Sequence, residues 1–219
     1  MYFKDIVGLE EIKSHLIDSV KQGHIPHARL LHGPAGVGKL PLAISYARYL
    51  NCQNRGETDS CGHCPSCQKI DKLSHPDLHF VFPVVKSKVS DEYLPEWREF
   101  LSENKYFELN QWLAFIDAEN AQGVIYSKES DEIIRKLNLK VYEAPYKIMI
   151  VWLPEKMHEA CANKLLKMIE EPPQNTIFLL VTEEMDKVLT TIRSRCQPLS
   201  VRAIRNDEME QVLQSKFGL

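Results

Sequence analysis

The sequence predicts an α/β protein: a parallel sheet with helices covering both faces. Two observations carry that reading. Apolar runs of strand length alternate with segments whose apolar residues recur at helical spacing. One run, Ala28 to His32, leads straight into a glycine-rich loop and then a helix.

Taken in order, Leu9, Ile12, Leu16 and Val20 share one face of a helix from about Leu9 to Val20, with Lys13, Asp18 and Lys21 off that face. Ala28 to His32 is a buried strand, Gly33 to Lys39 the loop, and Lys39 to Leu50 the next helix. Four cysteines fall within 52–67, and Leu78 to Val84 form a second strand after the turn His75-Pro76-Asp77. Residues 86–124 are polar and aromatic-rich and read as an insertion with two helices, Glu92 to Leu101 and Phe107 to Phe115. Its Tyr93, Trp97, Tyr106, Phe107 and Trp112 make either a satellite core or a partner surface, core being the favoured reading. Ser127 caps a helix to about Leu137, with Glu129 and Asp131 near its positive end. Ile148 to Trp152 is the third strand, and the helix from His158 to Glu170 stops at Pro172-Pro173, because proline cannot continue it. Thr176 to Val181 and Pro198 to Val201 are the fourth and fifth strands, and Asp207 caps a last helix to about Lys216.

Composition narrows the function classes. The 219 residues suffice for one large domain with a real core, burying roughly 70–75% of the unfolded surface. With 44% hydrophobic and 26% charged residues the chain falls in the ordinary globular range, which excludes disordered and fibrous classes. A net charge of −3 provides no bulk positive field, so nucleic-acid contact would need a local patch. No apolar run reaches the ~18 residues of a membrane span, and the N-terminus lacks a signal-like h-region. The expectation is a cytoplasmic protein with no membrane partner, whose six cysteines are metal ligands or free thiols rather than disulfides.

Gly33-x-x-x-x-Gly38-Lys39-Leu40 matches the phosphate-loop pattern up to its last position. Gly33, Gly36 and Gly38 would let backbone N–H groups converge on phosphate at a helix start, with Lys39 adding a positive charge. The hydroxyl that normally reaches Mg²⁺ is replaced by Leu40. The strand Ile148 to Val151 ends in Trp152-Leu153-Pro154, with no carboxylate before Glu155. Phosphoryl transfer depends on metal and positioned charge, so the favoured reading is a relic loop kept as scaffold. The alternatives are weak ATP or ADP binding without Mg²⁺, and an ATPase that recruits Glu155.

Cys52-x₈-Cys61-x₂-Cys64-x₂-Cys67 is the most specific chemical signal. Two overlapping C-x₂-C steps bring thiolates together from tight turns, and Cys52 completes four sulfurs around a structural Zn²⁺ with no open position for catalysis. An iron–sulfur cluster and a redox dithiol compete less well. His63 is exposed between ligands, while Cys161 and Cys196 read as buried thiols. A zinc-containing nucleic-acid module is a further alternative, although Arg55, Lys69 and Lys72 are diluted by Glu57, Asp59 and Asp71.

Beyond these local readings, the chain resembles the AAA+ subunits of the bacterial DNA polymerase III clamp loader, in its stator form rather than its motor form. The residues that carry this are Ile6-Val7-Gly8, His24 to Arg29, the glycine loop, the four cysteines, His75-Pro76-Asp77, Asn163 to Pro173 and Thr191 to Cys196. They span almost everything except 86–124. The resemblance implies a five-stranded parallel AAA+ core over 1–200, a projecting zinc module at about 52–67, the start of a helical lid at 201–219, and a collar domain beyond this chain. It implies that Arg195, in Ser194-Arg195-Cys196, is an arginine finger reaching ATP on a neighbouring subunit; Arg193 lacks that warrant. The motif-blind reading of Arg195 is a surface arginine on helix-end carbonyls. The resemblance also sets Thr182 near a phosphate-sensing position, against a plain strand-end turn contact. Implied partners are the gamma/tau and delta subunits and, through them, the sliding clamp and primed DNA. Leu40, Trp152 and Leu153 depart from the motor pattern, which places hydrolysis in doubt and favours the stator.

Overall fold

The computed structural model describes residues 1–204, 208, 210 and 214. Five parallel strands form one sheet in the order β2-β3-β4-β1-β5: β1 Ala28–His32, β2 Leu78–Val81, β3 Lys147–Trp152, β4 Thr176–Thr182 and β5 Gln197–Ser200. Alternate residues of each strand feed two separate cores, because successive side chains point to opposite faces. Leu31, Phe80, Ile150, Leu179 and Val181 join the core under α1 (Glu10–Lys21) and α2 (Lys39–Asn51). Leu30, Val81, Met149, Phe178 and Leu180 join the other, under α6 (Glu129–Asn138), α7 (Glu159–Glu170) and the single turn α8 (Thr190–Arg193). Side chains of β3 and β4 are buried throughout, as in a strand covered on both faces.

Several expectations need correction. The second strand ends at Val81, three residues early; from there the chain turns into an excursion whose two ends are tied where Val84 pairs with Val124. That excursion carries α4 (Leu94–Glu103) and α5 (Leu109–Phe115). Its aromatics do not form a satellite. Trp97 and Trp112 are fully buried, Phe82 stacks on Trp97 with centroids 4.1 Å apart, and Phe107 meets Trp152 of β3 at 5.1 Å. The insertion therefore merges with the core on the α1/α2 face. Lys13, read as lying off the apolar face, is buried, its Nζ donating to the Ile6 carbonyl at 2.7 Å and pairing with Glu10 at 2.7 Å. The Ser127 cap is replaced by a helix starting at Glu129, and the Ser127 carbonyl accepts from Ser130 instead. The fifth strand runs from Gln197 to Ser200. Of the helix expected from Asp207 to Lys216 only Glu208, Glu210 and Gln214 are among the described residues, and all three are helical.

A short helix in the cysteine segment went unanticipated: α3, Pro65–Asp71, with proline in its first turn, where no N–H is missed. Arg48 on α2 is fully buried, lies over the Tyr2 ring at 3.7 Å, and is held by both carboxylate oxygens of Asp71 on α3, Nη2 donating to Oδ2 at 2.7 Å. This charge-assisted fork joins the glycine-loop helix to the cysteine module.

Candidate functional site

The phosphate loop lies at the C-terminal end of β1, between two neighbouring strands, the position where open α/β sheets gather ligands. Gly38 precedes α2 at φ +85°, a backbone state that disfavours side chains. Lys39 is buried and folds back on its own loop, donating to the Gly33 carbonyl at 2.8 Å and to the Pro34 carbonyl. Burial lowers its pKa from the ordinary lysine value, and burial likewise raises that of nearby Glu183. Leu40 and Trp152 both point into the apolar core, so neither metal-handling position offers a ligand atom. The Glu155 carboxylate accepts from the Glu183 and Glu184 N–H groups at 2.9 and 3.2 Å, capping the turn after β4.

Tyr106, from the insertion, lies across the mouth of the loop. Its Cε1 is 2.9 Å from where a Cβ on Gly38 would stand, and its hydroxyl accepts from the Val7 N–H at 3.2 Å. The cavity left among Gly36, Gly38, Lys39, Tyr106, Trp152 and Glu183 holds about 20 Å³. That is room for about one water, against the roughly 300 Å³ at which small-molecule pockets begin.

The four cysteines do converge. Their sulfurs lie within 4.8 Å of one another, with Cys61 and Cys67 4.0 Å apart. Four thiolates at about 2.3 Å around a tetrahedral Zn²⁺ would be separated by similar distances, so the donor set fits such an ion. Backbone N–H groups of Cys61, Cys64 and Cys67 donate to the sulfurs of Cys52, Cys61 and Cys64 at 3.3 to 3.5 Å, supporting anionic sulfur. His63 is exposed and turned to the Cys61 carbonyl at 3.0 Å. Cys161 and Cys196 are buried elsewhere, their thiols pushed up to about 12 by burial. Two of the basic residues beside the cluster are spoken for, Arg55 by the Tyr49 and Leu50 carbonyls at the end of α2 and Lys69 by Glu143 at 2.5 Å, while Lys72 is exposed. That leaves little charge for a phosphate backbone.

Arg195 sits at the surface between α8 and β5, far from the loop in sequence. Its Nε pairs with Glu170 at 2.6 Å and its Nη1 donates to the Thr191 carbonyl at 3.0 Å, while its side chain stays 41% exposed and so within a neighbour's reach. Arg193 is engaged differently, with Asp186 at 2.9 Å and the Met185 carbonyl at 3.3 Å. Thr182 is buried, and its hydroxyl accepts from the Glu184 N–H at 3.2 Å, a local turn contact.

Fold and loop together define a core of AAA+ P-loop architecture in which the cavity at the glycine loop is only about 20 Å³. The chain belongs to the family described as DNA polymerase III, delta subunit, whose model matches residues 8–205. It is 31% identical over 202 residues to the DNA polymerase III delta' subunit of Bacillus subtilis, covering 90% of this chain and 50% of that protein. It is also 31% identical over 206 residues to the tau subunit of the same organism, covering 92% of this chain and 29% of that one. Among solved structures, a DNA polymerase III gamma subunit-related protein of Thermotoga maritima superposes with a TM-score of 0.56 at 16% identity, over 96% of this chain and 51% of that one. The chain thus spans half or less of the length of these relatives. Among the described residues no helix is long and apolar enough to cross a membrane.

Proposed function

We propose that this chain is a delta-prime-type stator of the DNA polymerase III clamp loader, working in the cytoplasm. With the gamma/tau and delta subunits it helps place a sliding clamp on primed DNA. In this reading it hydrolyses no ATP itself and offers Arg195 to ATP held by the adjacent motor subunit. Residues 1–200 form the core, Cys52, Cys61, Cys64 and Cys67 hold a structural Zn²⁺, and the lid begins after residue 200.

One observation carries the reading: the chain's own phosphate loop is closed, with Lys39 on its own carbonyls and Leu40 and Trp152 in the core, while Arg195 stays accessible. A guanidinium at a subunit boundary ties hydrolysis to assembly, and such fingers contribute about 10³–10⁵ in rate elsewhere. The test is Arg195→Ala in the full-length protein, reconstituted with the other subunits. DNA-stimulated ATP turnover falls sharply while the melting temperature holds; unchanged turnover removes the finger role.

A gamma/tau-like motor is the rival, favoured by the gamma and tau relatives, which match as much of this chain as the delta' ones do. It requires Mg²⁺-dependent ATP hydrolysis by the isolated full-length protein, and robust turnover there would replace the stator reading.

A further inference from the structure

The insertion explains more than its burial. Three consecutive residues after α4 are anchored in three different places. Lys105 pairs with Asp5 of the N-terminal segment at 3.8 Å. Phe107 drives into the aromatic core, edge-on to Phe100 at 4.7 Å and against Trp152 at 5.1 Å. Between them, Tyr106 points the opposite way, over the first turn of α2, with its hydroxyl on the Val7 N–H. Its ring is held in that direction by the hydroxyl's bond to the Val7 N–H, and its outer side is exposed. The ring packs over Gly38 at the helix start and lines the small cavity beside the loop, where a phosphate would be bound.

We propose that Tyr106 is the residue that decides nucleotide occupancy in this subunit: its ring fills the phosphate position of the chain's own loop and excludes ADP and ATP. The lack of metal-ligating side chains at Leu40 and Trp152 would disable hydrolysis but would not by itself prevent binding, since the glycine loop and Lys39 remain. Steric closure by Tyr106 supplies the missing step. The inference rests on reading the loop as a scaffold and is independent of what Arg195 does.

The test is equilibrium binding of ADP to the full-length protein, without Mg²⁺, by calorimetry. The wild type and Tyr106→Phe, which keeps the ring, show no saturable binding at millimolar ADP. Tyr106→Ala binds with an affinity at least about tenfold above the detection limit. Adding Lys39→Ala to that variant abolishes the gain. Thermal melts establish that each variant is folded, and Tyr106→Ser repeats the experiment should the alanine variant not fold. A folded Tyr106→Ala or Tyr106→Ser protein that still ignores ADP overturns the proposal while leaving the scaffold reading intact. ADP binding by the wild type as tight as by Tyr106→Ala overturns both.

Discussion

The glycine loop and the cysteine cluster lie at opposite ends of α2, and each matches a ligand-binding pattern, yet the fold treats them in opposite ways. At the helix N-terminus the Lys39 ammonium donates to its own loop's Gly33 and Pro34 carbonyls, and Tyr106 packs over Gly38. At its C-terminus Cys52 and three further sulfurs turn toward a common centre, with backbone donors aimed at them. A ligand pattern in sequence therefore has two fates. In the proposed reading it persists as scaffold where the fold's own side chains fill the position, and as a site where the donor atoms converge on a common centre.

If that contrast is right, metal removal has the largest effect. Small zinc modules gain roughly 10–16 kcal/mol from their ion, and α3 with its flanking turns has only a small apolar core of its own. Chelation at neutral pH should lower the melting temperature and deprotect residues 52–71 in hydrogen exchange, while added ADP changes neither. Metal analysis of the purified protein should give one zinc per chain. A metal-free protein of full stability would erase the distinction between the two ends of the helix.

A smaller effect probes how the insertion is held in place. Glu129 is fully buried, accepts from the Ser90 N–H at 2.7 Å, and burial raises its pKa from the ordinary 4.5 to about 7. Between those values the folded chain keeps a proton that the unfolded chain releases, so stability falls as pH rises across that window. Glu129→Gln should melt above the wild type at pH 8, with the gap closing as pH drops toward about 4.5. A gap that does not change with pH would mean that Glu129 is not the titrating group.

Much of this was legible in the residues. Strand-length apolar runs located β1, β3 and β4 closely, because parallel strands buried on both faces must be apolar. Leu40 and Trp152 announced the lost metal ligands, and the cysteine spacing announced the convergent sulfurs. What stayed hidden depends on contacts distant in sequence. Lys13 carries a charge on the buried side of its helix, and the Ile6 carbonyl that receives it is not visible in the local pattern; Glu129 looks like a helix-dipole partner until Ser90 closes over it. Tyr106 is one aromatic among several, and nothing local distinguishes it from Phe107, which faces the other way. The seven-residue α3, which begins after Cys64 and contains Cys67, is too short for periodicity to register.

The most direct measurement compares two full-length variants in the reconstituted clamp loader: Lys39→Met in the closed loop and Arg195→Ala on the exposed face. DNA-stimulated ATP turnover should stay at the wild-type rate with the first and fall by about 10³-fold at the one site served by the second. Turnover lost with Lys39→Met and kept with Arg195→Ala would mean that this subunit works through its own nucleotide rather than its neighbour's.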